Sequence, residues 1–197
     1  MKSITTGTDP TAVRAAFANI ASGVTAVCAE LEGEVVGMAA SSFTAVSLDP
    51  PLVSVCVMNG SRTWRRLQDA PRLGVSVLAA DQGSVCRALG SKGGDRFADI
   101  ATLVTPEGAV LVRGAGVWLE CELQSLLPGG DHTIVLLRVL GLEADTEREP
   151  LVYLAGSVRA LVPLSPSGVD GPVPTSGVDG PVPTSTVGST ASEGALS

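Results

Sequence analysis

Two adjacent prolines, Pro50 and Pro51, most constrain what this chain can fold into. Each fixes its own φ and lacks a backbone N–H, so Asp49-Pro50-Pro51 is a rigid corner through which no helix runs. Beyond the corner lies LVSVCVM, Leu52 to Met58, rich in β-branched valine and strongly apolar. It reads as a strand buried on both faces. Ahead of the corner lies GMAASSFTAVSLD, Gly37 to Asp49. From Phe43 onward it alternates, with Phe43, Ala45 and Ser47 opposed to Thr44, Val46 and Leu48, which predicts a strand with one buried face. Before Phe43 the side chains are small, so a flat ligand can lie close to the backbone amides and the hydroxyls of Ser41 and Ser42. The same small residues equally allow a neighbouring strand to approach closely.

The flanking segments extend this β pattern. Val24 to Glu30 and Val35 to Ser41 flank Glu32-Gly33, the signature of a hairpin. Arg72 to Ala79 reads as another strand. Two long strands, Val117 to Leu127 and Thr133 to Glu143, are joined by Pro128-Gly129-Gly130-Asp131-His132, and Leu151 to Leu161 supplies one or two closing strands. Helices are few and short. Asp9-Pro10 opens one that reaches about Ala21 with Val13, Phe17 and Ile20 on one face, and Asp81 opens another ending near Gly90. Ser61 caps a third through Gln68; its first amides, with Ser61, Thr63 and Arg62, suit a phosphate or simply form a capped surface helix.

Composition narrows the function. A net charge of −7 and a pI near 4.6 exclude nucleic acid as the main partner. No segment has the roughly 20 apolar residues that span a bilayer, and the first residues lack the apolar core of a signal peptide. Cys28, Cys56, Cys86 and Cys121 form no CxxC and no Cys/His cluster, so no metal site is expected. They read as reduced core thiols of a cytoplasmic protein. The chain divides into a flexible N-terminus over 1–9, a folded domain over 10–162 and a low-complexity tail over 163–197. In the tail SGVDGPVPT occurs twice in succession, at Ser167 to Thr175 and Ser176 to Thr184. Such a composition buries too little surface to offset ordering, so the tail is expected to be disordered.

Two further stretches carry chemistry. Ser91 to Phe97, SKGGDRF, is a glycine-rich loop bearing Lys92, Arg96 and Phe97. It lacks Walker spacing, and no GxGxxG follows a strand anywhere, which argues against nucleotide-binding folds of those types. His132 is the one histidine, placed after two glycines and Asp131 where the chain re-enters an apolar strand.

Taken in order, GMAASSFTAVSLDPP, NGSRTW, SKGGDRF and GDH resemble the flavin reductase-like family over about residues 10–162. The resemblance implies a homodimeric FMN-binding split β-barrel that reduces free flavin, FMN or FAD, with NADH or NADPH and supplies it to a partner flavin-dependent monooxygenase. Other readings on the same barrel are a flavin-retaining oxidase or oxygenase, and a non-catalytic flavin or haem binder. It further implies that Ala40, Ser41, Ser42 and Phe43 line the flavin ring edge. Ser61, Thr63, Lys92, Arg96 and Phe97 would lie by the ribityl-phosphate arm or the dimer wall. Asp131 and His132 would face the nicotinamide, with His132 the one catalytic candidate. The chain departs from the family pattern at Ala39, where many relatives have Thr, and at Val158, where relatives often carry an aromatic residue.

Overall fold

The computed structural model describes residues 9–162. Glu32 and Gly33 both take left-handed φ values, 53° and 79°, the backbone that a two-residue hairpin turn requires. They join β2 (Thr25–Leu31) to β3 (Glu34–Ala40) in register, Thr25 opposite Ala40 and Leu31 opposite Glu34. A second tight hairpin joins β9 (Val117–Gly129) to β10 (His132–Ala144) through Gly130 and Asp131, with Gly130 at φ 76°. Both strands run further toward this turn than the sequence reading placed them, so His132 is the first residue of β10. With β4 (Thr44–Leu48), β5 (Pro51–Met58) and β6 (Leu73–Val77), these strands form one antiparallel sheet in the order β3-β2-β6-β9-β10-β5-β4.

The edge strands β3 and β4 are consecutive in sequence, joined only by Ser41, Ser42 and Phe43. Laid flat, seven strands at about 4.8 Å spacing would hold those edges about 29 Å apart. Ala40 to Thr44 reaches at most about 14 Å. The sheet therefore curls into a barrel, and its mouth is sealed at this link. Ser42 completes the seam. The β4–β5 ladder ends at Thr44 opposite Ser54, and beyond it the Ser42 hydroxyl accepts from the Cys56 amide at 2.8 Å and donates to the Cys56 carbonyl at 3.0 Å.

Inside the barrel, alternate residues from six strands pack together, among them Val27, Val36, Val55, Val75, Cys121 and Val135. α2 (Arg62–Leu67), capped by Ser61 as expected, adds Trp64 and Leu67 to that core. The opposite residues of β2 and β6 face outward to a second core under α3 (Gly83–Gly90) and β8 (Val110–Val112), and β8 pairs with β7 (Thr102–Val104). Gly74 permits the close approach of β8, because a Cβ there would lie 2.1 Å from the Val110 carbonyl oxygen. β1 (Ser22–Gly23), β11 (Val152–Leu154) and β12 (Ser157–Arg159) make a small separate sheet.

Several expectations are corrected. β5 is not buried on both faces: Val53, Val55 and Val57 are in the core, while Leu52, Ser54 and Cys56 on the other face are only part-covered. β4 has no buried face, since it is the sheet edge and no second layer among the described residues covers it. α1 (Pro10–Phe17) is shorter than expected and buries none of its residues, leaving Phe17 and Ile20 exposed. α3 starts at Gly83, with Gln82 rather than Asp81 at its N-cap, because the Gln82 side chain is drawn inward to Ala79 and Arg113. The expected disordered tail and its repeat lie outside the described residues. No helix among the described residues is long and apolar enough to cross a membrane.

Ser42 satisfies two main-chain groups of β5 at once, so Ser42→Ala should strand both. A loss of about 1–3 kcal/mol is expected. It should appear as a lower denaturant midpoint with an unchanged slope.

Candidate active site

The sequence of α2 places Arg62 and Arg66 one helical turn apart, and Trp64 and Gln68 one turn apart on another side. Two clefts result, one on each side of the helix. The first, about 730 Å³, is lined by Arg62, Thr63 and Arg66 together with Gly37, Arg96 and Phe97. The second, about 370 Å³, is lined by Trp64, Arg65 and Gln68 together with Asn59, His132 and Thr133.

Three separate stretches meet at the first cleft. Arg96 Nη1 donates to the Gly37 carbonyl and to Thr63 Oγ1, both at 3.1 Å. Phe97 lies over Gly37, where a Cβ would stand 2.7 Å from the ring Cζ and 2.5 Å from Cys28 Sγ. Only glycine admits that ring against the strand. The loop is held further by Asp95, whose Oδ1 accepts from the Phe97 amide at 2.9 Å. Across the cleft, Arg66 makes a two-pronged pair with Glu34, Nη1 to Oε1 at 3.2 Å and Nη2 to Oε2 at 2.7 Å. That hydrogen bond and the guanidinium charge hold the Glu34 carboxyl below its usual range. Arg62 makes no ion pair among the described residues, so an acidic chain presents a local cationic surface here.

At the second cleft, His132 Nδ1 lies 2.7 Å from Asp131 Oδ1. The hydrogen bond and charge of His132 lower the Asp131 pKa. A carboxylate is acceptor-only, so Nδ1 carries the proton and Nε2 remains for another partner. Asn59 fixes the turn behind the ring, donating to the Gly130 carbonyl at 3.1 Å and accepting from Thr133 Oγ1 at 2.9 Å.

The residues expected from the sequence divide between these places. Thr63, Arg96 and Phe97 share the first cleft, while His132 lines the second and Asp131 is hydrogen-bonded to it outside the lining. Ser42 and His132 are tied to one strand, at Cys56 and opposite Met58, separated by about 7 Å of β5. Ser41 is exposed and its hydroxyl makes no hydrogen bond among the described residues. The other members are already engaged. The Ala40 side chain is in the barrel core, Phe43 packs against that core, and Ser61 Oγ accepts from the Trp64 amide at 3.1 Å. Lys92 is exposed and does not line either cleft. Val158 packs into the outer core rather than standing in a cleft wall. Arg66, Arg65 and Gln68 were not singled out from the sequence, and Trp64 entered it only as the last residue of NGSRTW; the i, i+4 spacing of Arg62 with Arg66 and of Trp64 with Gln68 on a capped helix was the signal.

Burial pushes the Cys28 and Cys121 thiols up to about 12, so both are packing groups rather than nucleophiles. Among the described residues no group of three or more His, Cys, Asp or Glu side chains is placed to hold a metal.

Known proteins are similar to this chain in sequence and in fold. The Flavin reductase like domain family matches residues 17–162. The reductase subunit HsaB of a flavin-dependent monooxygenase from Rhodococcus jostii is 35% identical over 79% of this chain and 80% of its own length. An NADH-dependent flavin reductase from Rhodococcus sp is 40% identical over 77% of this chain and 86% of its own. The solved structure of Streptomyces globisporus NADH:FAD oxidoreductase SgcE6, in complex with NAD and FAD fragments, superposes with a TM-score of 0.77 at 36% identity, covering 82% of this chain and 98% of that one. With a family match across nearly all the described residues and relatives this similar over most of their length, the chain belongs to the flavin reductase-like family.

Proposed function

We propose that this chain is an NAD(P)H:flavin oxidoreductase that reduces free FMN or FAD for a separate monooxygenase component. The observation that carries the reading is the convergence of Gly37, Thr63, Arg96 and Phe97 on one cationic cleft, in a chain of this family. Relatives named for NADH favour that donor. A nicotinamide donor and four unpaired cysteines fit a cytoplasmic enzyme.

Flavin supplies the hydride-accepting chemistry when bound, and the protein supplies binding and alignment. The residues present suit it. Arg62 and Thr63 offer a cation and a hydroxyl to a phosphorylated arm, and the exposed Ser41 hydroxyl and the link backbone offer polar contacts to a ring edge. His132, oriented by its Nδ1 hydrogen bond to Asp131, presents Nε2 to the nicotinamide carboxamide. Holding two reactants face to face supplies about 7–11 kcal/mol of a bimolecular barrier, so no proton-relaying triad is required.

A homodimer completes the reading. Val46 and Leu48 on the uncovered edge strand β4, with Leu126, Leu127, Leu140 and Leu142 toward the ends of β9 and β10, leave large apolar side chains in water, Leu48 84% exposed. A second copy is the proposed cover. Light scattering at micromolar concentration should give twice the chain mass; the mass of one chain would remove the dimer.

Following NADH consumption with and without added FMN tests the function. Turnover that requires added flavin is expected. A protein purified yellow and active without added flavin would indicate retained flavin, and no NADH consumption would overturn the reductase reading. Replacing His132 with Ala should lower kcat/KM for NADH about 5- to 150-fold, with flavin affinity nearly unchanged. Equal losses for NADH and flavin, with a lowered Tm, would make His132 a stabilising residue instead.

A further inference from the structure

We propose that Arg96 is a positioning residue that acts through Thr63 to hold a phosphoryl group of the flavin, rather than a direct ligand of that group. The proposal rests on the reading that the first cleft receives the phosphorylated arm of the flavin.

The argument is one of donors and acceptors. A guanidinium only donates, and Arg96 Nη1 has two N–H groups. One goes to the Gly37 carbonyl and the other to Thr63 Oγ1, each at 3.1 Å. Thr63 therefore accepts from Arg96, and its own hydroxyl proton must point elsewhere. Thr63 lines the cleft, so that proton is available to an acceptor lodged there. Phosphoryl oxygens are acceptors only and match it; a group that must donate does not. Arg96 is part-buried with Nη1 committed to Gly37 and Thr63 and its Nε and Nη2 unbonded among the described residues, whereas Arg62 on the same wall is exposed and makes no ion pair among the described residues. The neighbouring Arg66 is engaged by Glu34. On this assignment the more exposed Arg62 makes the cationic contact to the phosphoryl group, Thr63 the neutral donor contact, and Arg96 orients that donor, a division that the double variant below separates from direct contact by the remaining Arg96 donors.

Arg96 also ties β3 to α2 through the same two bonds, so a purely structural role must be separated from a polarising one. Dissociation constants for FMN and for riboflavin, which lacks the phosphate, make the separation. They would be measured by flavin fluorescence for the unsubstituted chain, Arg96→Met, Thr63→Val, Thr63→Ser and the Arg96→Met/Thr63→Val double variant. The unsubstituted chain should bind FMN more tightly than riboflavin. Arg96→Met and Thr63→Val should each weaken FMN about 5- to 30-fold and riboflavin less than about twofold. The double variant should be no weaker than either single one, because both remove the same oriented hydroxyl. Thr63→Ser keeps the hydroxyl and should retain FMN affinity. Should Arg96→Met not fold, Arg96→Lys keeps the charge without the forked donor and should show the same selective loss.

Losses that multiply in the double variant would make Arg96 a ligand in its own right and overturn the proposal. Equal losses for FMN and riboflavin in Arg96→Met would reduce Arg96 to a brace of the cleft wall. Equal affinity of the unsubstituted chain for FMN and riboflavin would overturn the proposal while leaving flavin reduction intact. Failure to bind either flavin would overturn the flavin reading itself, and this inference with it.

Discussion

The three-residue link between β3 and β4 is the constraint from which the rest of the structure follows. It spans the two edges of one sheet and is too short to do so unless the sheet closes on itself. Closure creates an interior, and the alternating side chains of the strands fill it with one apolar core. It also leaves a seam where the regular ladder stops. Main-chain groups at such a place must be satisfied one at a time. Cys56 is satisfied by the Ser42 hydroxyl, while Ser41 beside it stays exposed. A stretch rich in small and hydroxylated residues is what a seam of this kind demands, quite apart from any ligand.

Outside the barrel, a second apolar layer sets where the glycine-rich loop can lie. Phe97 anchors the loop by packing over Gly37 and Cys28, and Arg96 is drawn to the carbonyl of the same glycine. One residue without a side chain thereby brings together segments that are distant in sequence. The result is a cationic cleft on a protein whose overall charge is −7. Local geometry, rather than net charge, decides what such a surface attracts.

Much of this was legible in the residues. Glu32-Gly33, the Ser61 cap and the long strands around Gly130-Asp131 each carry a local cause that nothing in the tertiary structure overrides. The misreadings share a different origin. The alternation in β4 was real, but no layer among the described residues buries its apolar side chains. β5 looked doubly buried because valine and cysteine are apolar on both faces, and burial depends on what stands opposite. In the candidate site, hydroxyls attracted attention that their hydrogen bonds then explained: Ser42 and Ser61 hold backbone in place. Arg66 escaped notice, and Trp64 counted only as the end of a motif, because their importance lies in which side of a short helix they occupy, a property of packing and not of residue type.

That helix has a further consequence for how proteins of this construction can diverge. Residues Arg62, Thr63 and Arg66 wall one cleft, and Trp64, Arg65 and Gln68 wall the other. An α-helix turns by about 100° per residue. Inserting or deleting one residue after Ser61 would rotate every later side chain off its cleft and pull Trp64 and Leu67 from the barrel core. The segment is therefore locked in reading frame: chemistry at either cleft can change only by replacement in place, and the length between Ser61 and Gln68 behaves as a fixed gauge that both clefts inherit together.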